Sequence, residues 1–596
     1  MDEALARLAA DCGVEPGYWD GLGQRRDLTE AGARAIVTAL GYPGPAAEEL
    51  QRRANQRRTR FVPPSPPTCH IPEDLKQGRR VWGLAVQLYA LRSARNWGIG
   101  DFTDLGSLAR VAAAAGAQAI GLNPLHARTL SRPDDASPYA PSSRLFLDPL
   151  SLDVKTVAGY DGAAALRAEA ADFQARLAAV RALTRVDHAS VCALKLEILG
   201  LAYTHWKQIT SFGEQTSLKQ FREAMGADAL EQFCTFEAAR LGATSPAGAV
   251  GAEPGFHAFL QWQCDQQLGT AAAAARTAGM RIGLYRDLAV GAAADGAEVA
   301  AHPKLFASGI HVGAPPDLLN REGQDWGLPP WIPERLAEAS YQPFRDLLRA
   351  NMRHAGALRI DHVMALTRLF WIPRGERGSA GAYVRYDFEA MVGCVSLESQ
   401  RQACMVIGED LGSVPDGLRD ALARRGLLSY RVAIFERHWD GDGSFKRPWE
   451  YPRQALATLA THDMPTVADF WNGGDIDRQE MLDLLPPETT SAAAHARRAG
   501  EREGLAALAR ALDLPAPGEG GTQASDSLHA LLARSESMLA MVQLDDILGE
   551  IEPVNIPGTW REYPNWTRKL GLEIEALTAD ARFQGVAALM REAGRI

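Results

Sequence analysis

The sequence predicts an α/β protein built on a (β/α)8 TIM barrel, with inserted, mainly helical subdomains and a small helical domain at the N-terminus. Three observations lead to this prediction. After residue 75, short apolar runs alternate with longer helical patterns, a long stretch separates the second run from the third, and a proline-rich segment precedes them all. The alternation alone also suits a doubly wound open sheet, which is the competing fold.

The composition is that of a folded, acidic protein. Of 596 residues, 46% are hydrophobic and 23% charged, and 63 basic against 73 acidic residues leave a net charge of −10. This excess of negative charge repels phosphate backbones and anionic lipids, so we expect neither a nucleic acid nor a membrane as a partner. No apolar run approaches the roughly 18 residues that a membrane span needs.

The cysteines and the first residues indicate the compartment. The seven cysteines are scattered, and none has the Cys-x-x-Cys spacing of zinc ribbons or redox sites. Buried free thiols in a reducing compartment are the simplest interpretation. Residues 1–4 include two acids, whereas a secretory signal begins basic and apolar. We therefore expect a cytoplasmic protein without a metal site.

Residues 1–75 are predicted to form the small N-terminal domain. Thr29 begins a helical run whose apolar residues form one stripe, and a turn rich in glycine and proline ends it. Residues 46–60 are predicted as a second, highly charged helix. Four prolines between positions 63 and 67 then form a linker to the second domain, residues 76–596.

Seven apolar runs in this second domain are predicted strands, because each is short and bounded by glycine or turn residues. Helical patterns such as 105–115 and 256–278 separate some of them, and seven or eight such units suit a closed barrel. The predicted strands are residues 82–88, 119–123, 281–285, 357–360, 405–407, 430–435 and 456–460.

Two insertions are predicted to interrupt the barrel. The first, at about residues 125–278, is too long for one crossover and contains helical patterns of its own, at 163–183, 192–207 and 218–224. The second insertion, at about residues 475–535, is also rich in helical patterns.

Acidic residues follow three of the predicted strands directly. They are Asp361, Glu409 and Asp463, with about 50 residues between each and the next. Because parallel strands in a barrel end at one face, these side chains would meet there. An acid after a strand is also a preferred helix N-cap, and for any one of them alone that interpretation is favoured. Three together favour a catalytic site.

Three acids at one barrel mouth suit glycosyl transfer. One carboxylate attacks the anomeric carbon, and a second, kept protonated, donates its proton to the leaving oxygen. Arg359 lies two residues before Asp361, on the same face of its strand, and is expected to keep Asp361 ionised. His362 and His462 are the neighbouring histidines.

Aromatic residues in predicted loops are a second indication of a sugar site. Tyr139 follows Ser137-Pro138, and Gln324 and Trp326 lie beside glycines. Flat aromatic faces pack against the C–H faces of sugars, while an amide such as that of Gln324 can bind hydroxyls. Packing of these loops against the barrel is the alternative, and for either aromatic residue alone it is favoured.

A series of motifs runs from about residue 81 to the C-terminus, at 87–93, 96–102, 137–139, 283–291, 313–329, 359–362, 408–412, 461–463 and 555–559. Together they resemble the motifs of the 4-α-glucanotransferases (amylomaltases or disproportionating enzymes, glycoside hydrolase family 77). The additional N-terminal segment resembles that of the longer bacterial branch of maltodextrin metabolism.

The resemblance implies a role for each acid. Asp361 would be the nucleophile that forms a covalent glycosyl-enzyme, Glu409 the general acid/base, and Asp463 the carboxylate that holds sugar hydroxyls and stabilises the transition state. Tyr139 would line the donor site and Trp326 the acceptor side, in a lid-like loop. The full set of implied substrate-binding residues is Arg359, His462, Tyr139, Trp326, Gln324, Asp287 and His362.

The family resemblance also implies the reaction and its partners. We expect a retaining transfer from maltooligosaccharide donors to glucose or another maltodextrin, with glycogen or starch as further substrates, and with no metal or organic cofactor. The sequence does not predict the oligomeric state. Three other functions stay open: a hydrolase of the α-amylase superfamily, a non-catalytic glucan-binding protein and, less favoured because no lysine follows a candidate strand, a sugar-phosphate lyase.

Overall fold

A closed barrel of eight parallel strands forms the centre of the computed structural model, which describes residues 1–54, 67–317, 320–486, 489–518 and 520–596. Each strand pairs with the next along the chain and the last pairs with the first, which confirms the predicted barrel and excludes the open sheet. The strands are β1 (Val81–Val86), β2 (Ala119–Leu122), β3 (Gly283–Leu288), β4 (Ala357–Ile360), β5 (Met405–Gly408), β6 (Leu428–Val432), β7 (Ala455–Thr458) and β8 (Leu539–Gln543).

Three strands differ most from the sequence prediction. β6 begins and ends earlier than predicted, because residues 433–435 form a short 3₁₀ helix. β8 was not predicted, because its apolar run leads without a turn into the helix Leu544–Leu548 and resembles the start of that helix. β3 begins and ends later than predicted, so Asp287 lies within the strand and not after it. All six residues of β3 are buried, as expected of a parallel strand covered on both faces.

Side chains from all eight strands fill the barrel. One hydrophobic cluster includes Val81, Tyr285, Ile407, Leu456 and Met541 together with buried residues of the other strands. The barrel therefore has a packed core and not a pore, and any ligand site has to lie at one of its ends.

Helices surround this core. The pattern predicted at 163–183 forms two helices, since Glu169 and Ala170 interrupt it. The α-helices are Glu3–Asp11, Glu30–Ala39, Ala46–Ala54, Glu73–Lys76, Phe102–Ala114, Ala163–Ala168, Ala171–Ala182, His188–Ile209, Phe212–Met225, Ala227–Leu241, Pro254–Thr277, Ala297–Ala301, Pro333–Glu338, Gln342–Met352, Phe388–Gln402, Leu418–Arg424, Val467–Asn472, Gly474–Met481, Ser491–Ala511, Gly521–Ala533, Leu544–Leu548 and Ala581–Glu592. In the described part of the chain, none of them has the length and hydropathy required to span a bilayer.

A four-stranded antiparallel sheet, here called the side sheet, lies next to the barrel and was not predicted. Its strands are Ile310–Ala314, Gln324–Leu328, Arg368–Pro373 and Ala382–Arg385. Residues 313–329 were predicted as a loop, and for residues 313–314 and Gln324–Leu328 that prediction is wrong. In the sequence, Gly323 and Gly327 are typical of a loop. In the structure, Gly323 precedes the edge strand Gln324–Leu328, and Gly327 lies within it where the pairing is irregular.

The N-terminal region packs against the side sheet. Ile36 and Val37 share a hydrophobic cluster with Trp371 and Val384 of the sheet. As predicted, Thr29 caps its helix, accepting a hydrogen bond from Gly32 N at 3.0 Å. The region also contains an unpredicted antiparallel pair of strands, Gly17–Trp19 and Arg25–Asp27. Part of the predicted helix 46–60, and all of the proline linker except Pro67, lie outside the described residues. The domain boundary at residue 75 stays a prediction.

The two long insertions are rich in helices, as predicted. The connection from β2 to β3 contains a short antiparallel pair, His126–Ala127 with Ser143–Leu147, and then the helices between Ala163 and Thr277. The connection from β7 to β8 contains four helices within the described residues. The exact bounds of the insertions as units stay predictions.

Candidate active site

The three acids lie at the carboxyl ends of β4, β5 and β7. The backbone N–H of Asp361 donates to Leu288 O at 3.0 Å, and that of Glu409 donates to Ile360 O at 3.0 Å. These bonds continue the strand ladder beyond the strand ends, so the two acids lie side by side on neighbouring strands. Asp463 follows β7 by a short turn.

Arg359 of β4 joins two carboxylates. Its Nη1 lies 2.9 Å from Asp361 Oδ1 and 2.8 Å from Asp287 Oδ1, and its guanidinium is buried. The contact expected from the spacing of Arg359 and Asp361 is therefore present. Because the cation is shared with Asp287, its full charge is not available to Asp361 alone.

Burial dominates the ionisation of Asp361. Loss of solvation raises its pKa to about 6, although Arg359 and His462 favour the ionised form, while Asp287 and Asp463 oppose it. The sequence predicted the direction of the Arg359 effect but not that burial exceeds it. At pH 7 the ionised form still prevails, so this carboxylate is available as a nucleophile.

Glu409 is the most protonated of the three acids. Only 8% of the residue is exposed. Its Oε2 accepts a hydrogen bond from His362 N at 2.9 Å, and its Oε1 accepts one from Leu411 N at 2.6 Å. Burial raises its pKa to about 7 and Asp361 adds to this rise, while Arg359 and the two N–H donors oppose it. A carboxyl with this pKa can both donate and accept a proton at neutral pH.

Asp410, the neighbouring acid, has a structural environment. Its carboxylate accepts hydrogen bonds from Tyr430 N at 2.8 Å, Ser429 Oγ at 2.6 Å and Arg419 Nε at 2.8 Å. These partners belong to β6 and to the helix that precedes it. Of the Glu409-Asp410 pair, only Glu409 therefore interacts with the other acids of the mouth.

Asp463 has two side-chain partners. Its Oδ2 lies 3.1 Å from His462 Nε2, and its Oδ1 accepts a hydrogen bond from Asn555 Nδ2 at 2.7 Å. Loss of solvation opposes ionisation, but these two partners, together with the charge of Arg359, outweigh it and lower the pKa of Asp463 to about 2. In turn, Asp463 raises the pKa of His462 in spite of that histidine's burial. Asp463 is therefore ionised near neutral pH.

Three rings, here called the aromatic wall, stand beside these acids. Tyr139 stacks on His462 with ring centroids 4.7 Å apart, and Trp566 lies 5.6 Å from both. The hydroxyl of Tyr139 donates to Asp287 Oδ2 at 2.6 Å. The aromatic wall therefore connects Asp287 of β3 with Asp463 after β7, across the mouth of the barrel.

The second aromatic group lies on the side sheet. Trp326 packs edge-on against His362 at 5.3 Å, and its Nε1 donates to Gln324 Oε1 at 3.1 Å. Burial lowers the pKa of His362 to about 4, and Arg368 adds to this effect, so the imidazole is neutral near pH 7. His362 also has a left-handed backbone with φ 49°, the turn that brings its N–H to Glu409.

The structure brings all the predicted site residues into one connected cluster. Contacts run from Trp326 through His362 to Glu409, and from Asp361 through Arg359, Asp287 and Tyr139 to His462 and Asp463. Asn555 and Trp566 belong to the same cluster, but the sequence analysis assigned them no role. For Asn555 a signal was present, since the motif 555–559 begins with this residue. No periodicity singles out Trp566.

The sequence matches the model of the glycoside hydrolase 77 family, described as 4-alpha-glucanotransferase, over residues 86–250 and 243–573. A 4-alpha-glucanotransferase of Mycobacterium tuberculosis is 39% identical over 555 residues, which cover 86% of this chain and 74% of that protein. The Haemophilus influenzae 4-alpha-glucanotransferase is 36% identical over 545 residues, which cover 85% and 77%.

Solved structures show the same relationship. The amylomaltase from Corynebacterium glutamicum matches with a TM-score of 0.89 at 30% identity, and the match covers 98% of this chain and 99% of that one. The amylomaltase from Streptococcus agalactiae, solved in complex with acarbose, matches with a TM-score of 0.67 at 16% identity, covering 87% of this chain and 100% of that one. At that identity the likeness concerns the fold alone.

Proposed function

Since the chain belongs to the 4-alpha-glucanotransferase family and is an enzyme that transfers glucan segments, we propose that Asp361, Glu409 and Asp463 perform this transfer as a retaining double displacement. The observation that supports this most directly is the position of Asp361 and Glu409, which lie side by side at the ends of adjacent strands, with Arg359 Nη1 2.9 Å from Asp361 Oδ1. Burial raises the pKa of both carboxyls above its ordinary value, which suits a site where a proton is exchanged near neutral pH.

In the first displacement, a carboxylate oxygen of Asp361 attacks C1 of an α-1,4-linked glucose unit. The bond from C1 to the glycosidic oxygen breaks, and its electron pair stays on that oxygen. Glu409 donates its proton there, so the fragment leaves as an alcohol and Glu409 becomes a carboxylate. The proton therefore comes from the group whose burial keeps it bound near neutral pH.

In the second displacement, the 4-hydroxyl of an acceptor sugar takes the place of the fragment. Glu409 removes the hydroxyl proton, the oxygen attacks C1, and the bond to Asp361 breaks. Asp361 and Glu409 return to their starting states, and the two inversions leave an α-linkage. Transfer prevails over hydrolysis where the acceptor sugar excludes water from the intermediate.

The other site residues bind and orient the sugar. Asp463, ionised because of His462 and Asn555, accepts hydrogen bonds from sugar hydroxyls and stabilises the positive charge of the transition state. Arg359 and Asp287 orient Asp361. Tyr139 and His462 face the donor side, while Trp326, Gln324 and His362 form the acceptor side.

The substrates proposed are maltooligosaccharide donors with glucose or another maltodextrin as acceptor, and glycogen or starch as longer substrates. The Streptococcus agalactiae amylomaltase holds acarbose, which supports an oligosaccharide ligand for this fold. A cytoplasmic location is part of the proposal, supported by seven buried cysteines that are all free thiols.

Incubation with pure maltotriose tests the proposal. Transfer yields both glucose and oligomers longer than maltotriose, whereas hydrolysis yields glucose and maltose without longer products. We expect redistribution by the intact protein and almost none by Asp361→Asn. A matched control is Asp410→Asn, an acid after a neighbouring strand that is only 1% exposed and bonds to β6; it should lower the melting temperature but retain redistribution per folded molecule. Full activity of Asp361→Asn would exclude this residue as the nucleophile.

A further inference from the structure

One loop, residues 555–566, is attached to the site at both ends and is here called the outer loop. At its start, Asn555 donates to Asp463 Oδ1 at 2.7 Å. At its end, Trp566 lies 5.6 Å from the rings of Tyr139 and His462. The proposed mechanism uses Asn555 through Asp463 but leaves the rest of the outer loop without a role.

Hydrogen bonds within the outer loop hold its shape. Asn565 Oδ1 accepts from Ile556 N at 2.9 Å, and Asn565 Nδ2 donates to Thr559 O at 3.1 Å and to Thr559 Oγ1 at 2.9 Å. One asparagine side chain therefore closes the loop across its width. A loop closed in this way presents its tip in a defined position relative to the site.

The tip of the outer loop presents an exposed indole. Trp560 is 69% exposed, and the guanidinium of Arg561 lies 5.1 Å from its ring centroid. Glu562 Oε2 accepts hydrogen bonds from Trp560 N at 2.8 Å and Arg561 N at 3.0 Å. Because Arg561 covers one face of the ring, the opposite face is the one open to a ligand.

Single exposed tryptophans are common on protein surfaces, so a binding role for Trp560 depends on where it lies relative to the acids. Trp560 lies five residues after Asn555, and a chain of that length spans at most about 18 Å. The indole is thus within a few sugar units of Asp463. Trp566 of the aromatic wall belongs to the same loop, so a glucan chain that follows this wall away from the acids runs toward the outer loop.

We propose that Trp560 is an outer binding platform for the glucan chain, stacking on a glucose unit several positions from the bond that is broken. The proposal rests on the transfer reaction proposed above and adds to it a residue that determines chain-length preference. Flat aromatic faces bind the C–H faces of sugars, and an indole offers the largest such face. A short substrate does not reach this platform, so its benefit appears only with longer chains.

The test compares the ratio of kcat/KM for maltoheptaose to kcat/KM for maltotriose. We expect Trp560→Ala to lower this ratio roughly 2- to 10-fold, the range that one lost aromatic contact corresponds to. Trp560→Phe should restore most of the ratio, because a smaller aromatic face remains. The melting temperature should not change for either variant, since the ring is exposed.

Trp449 provides the matched control. It is 54% exposed and has Arg447 at 5.5 Å from its ring, but it lies in the segment that leads into the amino end of β7, whereas the site lies at the carboxyl ends of the strands. Trp449→Ala should leave the ratio at the wild-type value. The proposal is wrong if the ratio is unchanged in Trp560→Ala, or if it falls equally in Trp560→Ala and in the control variant. The proposed function is judged separately, by whether the wild-type protein redistributes maltotriose.

Discussion

Glu409 and Asp463 are carboxylates at the same barrel mouth with opposite ionisation. Glu409 is 8% exposed and has two neutral backbone donors, and its pKa rises to about 7. The side chain of Asp463 is 49% exposed and has an imidazole and an amide as partners, and its pKa falls to about 2. The position of an acid at the end of a barrel strand brings it to the site. The groups that contact the acid then determine its ionisation and therefore the role that it can take.

The physical difference lies in the charge of the partners. Two backbone N–H groups orient the Glu409 carboxyl but carry no net charge, so burial and the nearby Asp361 prevail. His462 supplies a positive charge when protonated, and Asp463 itself favours that protonation. Glu409 can therefore exchange a proton near neutral pH, whereas Asp463 stays ionised.

The largest expected effect tests the proton exchange at Glu409. Glu409→Gln removes the acid and should lower kcat for maltotriose by about 10²- to 10⁴-fold. A donor with a fluoride leaving group needs no protonation, so the first displacement from α-maltosyl fluoride should be largely retained. Release of fluoride in a burst experiment measures this step. An equal loss with both donors would contradict the assignment of Glu409 as acid.

Asp463→Asn tests the other half of the comparison. Removal of this charge should lower kcat by about 10²- to 10³-fold, because the transition state loses electrostatic stabilisation. The loss should be similar for maltotriose and for α-maltosyl fluoride, since Asp463 does not transfer a proton. Steady-state kinetics with both donors measures it, and circular dichroism checks that the fold is intact. Selective rescue by the fluoride would assign Asp463 the role proposed for Glu409.

The pH profile of kcat/KM should be a narrow bell. Activity requires Asp361 ionised, so it falls as pH decreases through about 6, and it requires Glu409 protonated, so it falls as pH increases through about 7. The two acids interact, so the limbs report the pair and not either residue alone. On each limb, kcat/KM approaches a tenfold change per pH unit. In Glu409→Gln the alkaline limb should disappear, and its persistence would show that another group titrates there.

The smallest expected effect concerns Asn555. Asn555→Ala removes one of the three groups that lower the pKa of Asp463, so that pKa should rise while staying acidic. Because Asp463 is half exposed, water replaces the lost donor, and kcat/KM should fall only about 2- to 10-fold. Carbon-13 NMR of labelled aspartate follows the titration. A pKa that does not move would leave His462 and Arg359 as the causes of the low pKa.

The parts of the fold that were predictable depend on local sequence pattern. Seven of the barrel strands and the helix capped by Thr29 have apolar spacing and boundary residues that identify them without any tertiary information. β8 and the side sheet were missed for a physical reason. The first leads directly into a helix, and the edge strand Gln324–Leu328 is interrupted by glycine, so neither shows a clear period of two.

The same division applies to the site. That Asp361, Glu409 and Asp463 gather at one mouth follows from sequence, because each acid comes directly or within a few residues after a parallel strand and such strands end together. Which proton each of them holds was decided only by the tertiary structure. The N–H groups beside Glu409 depend on the turn at His362, and the amide beside Asp463 comes from 92 residues along the chain. An acid's pKa depends on burial and on charges within a few ångströms, and the sequence does not state these distances.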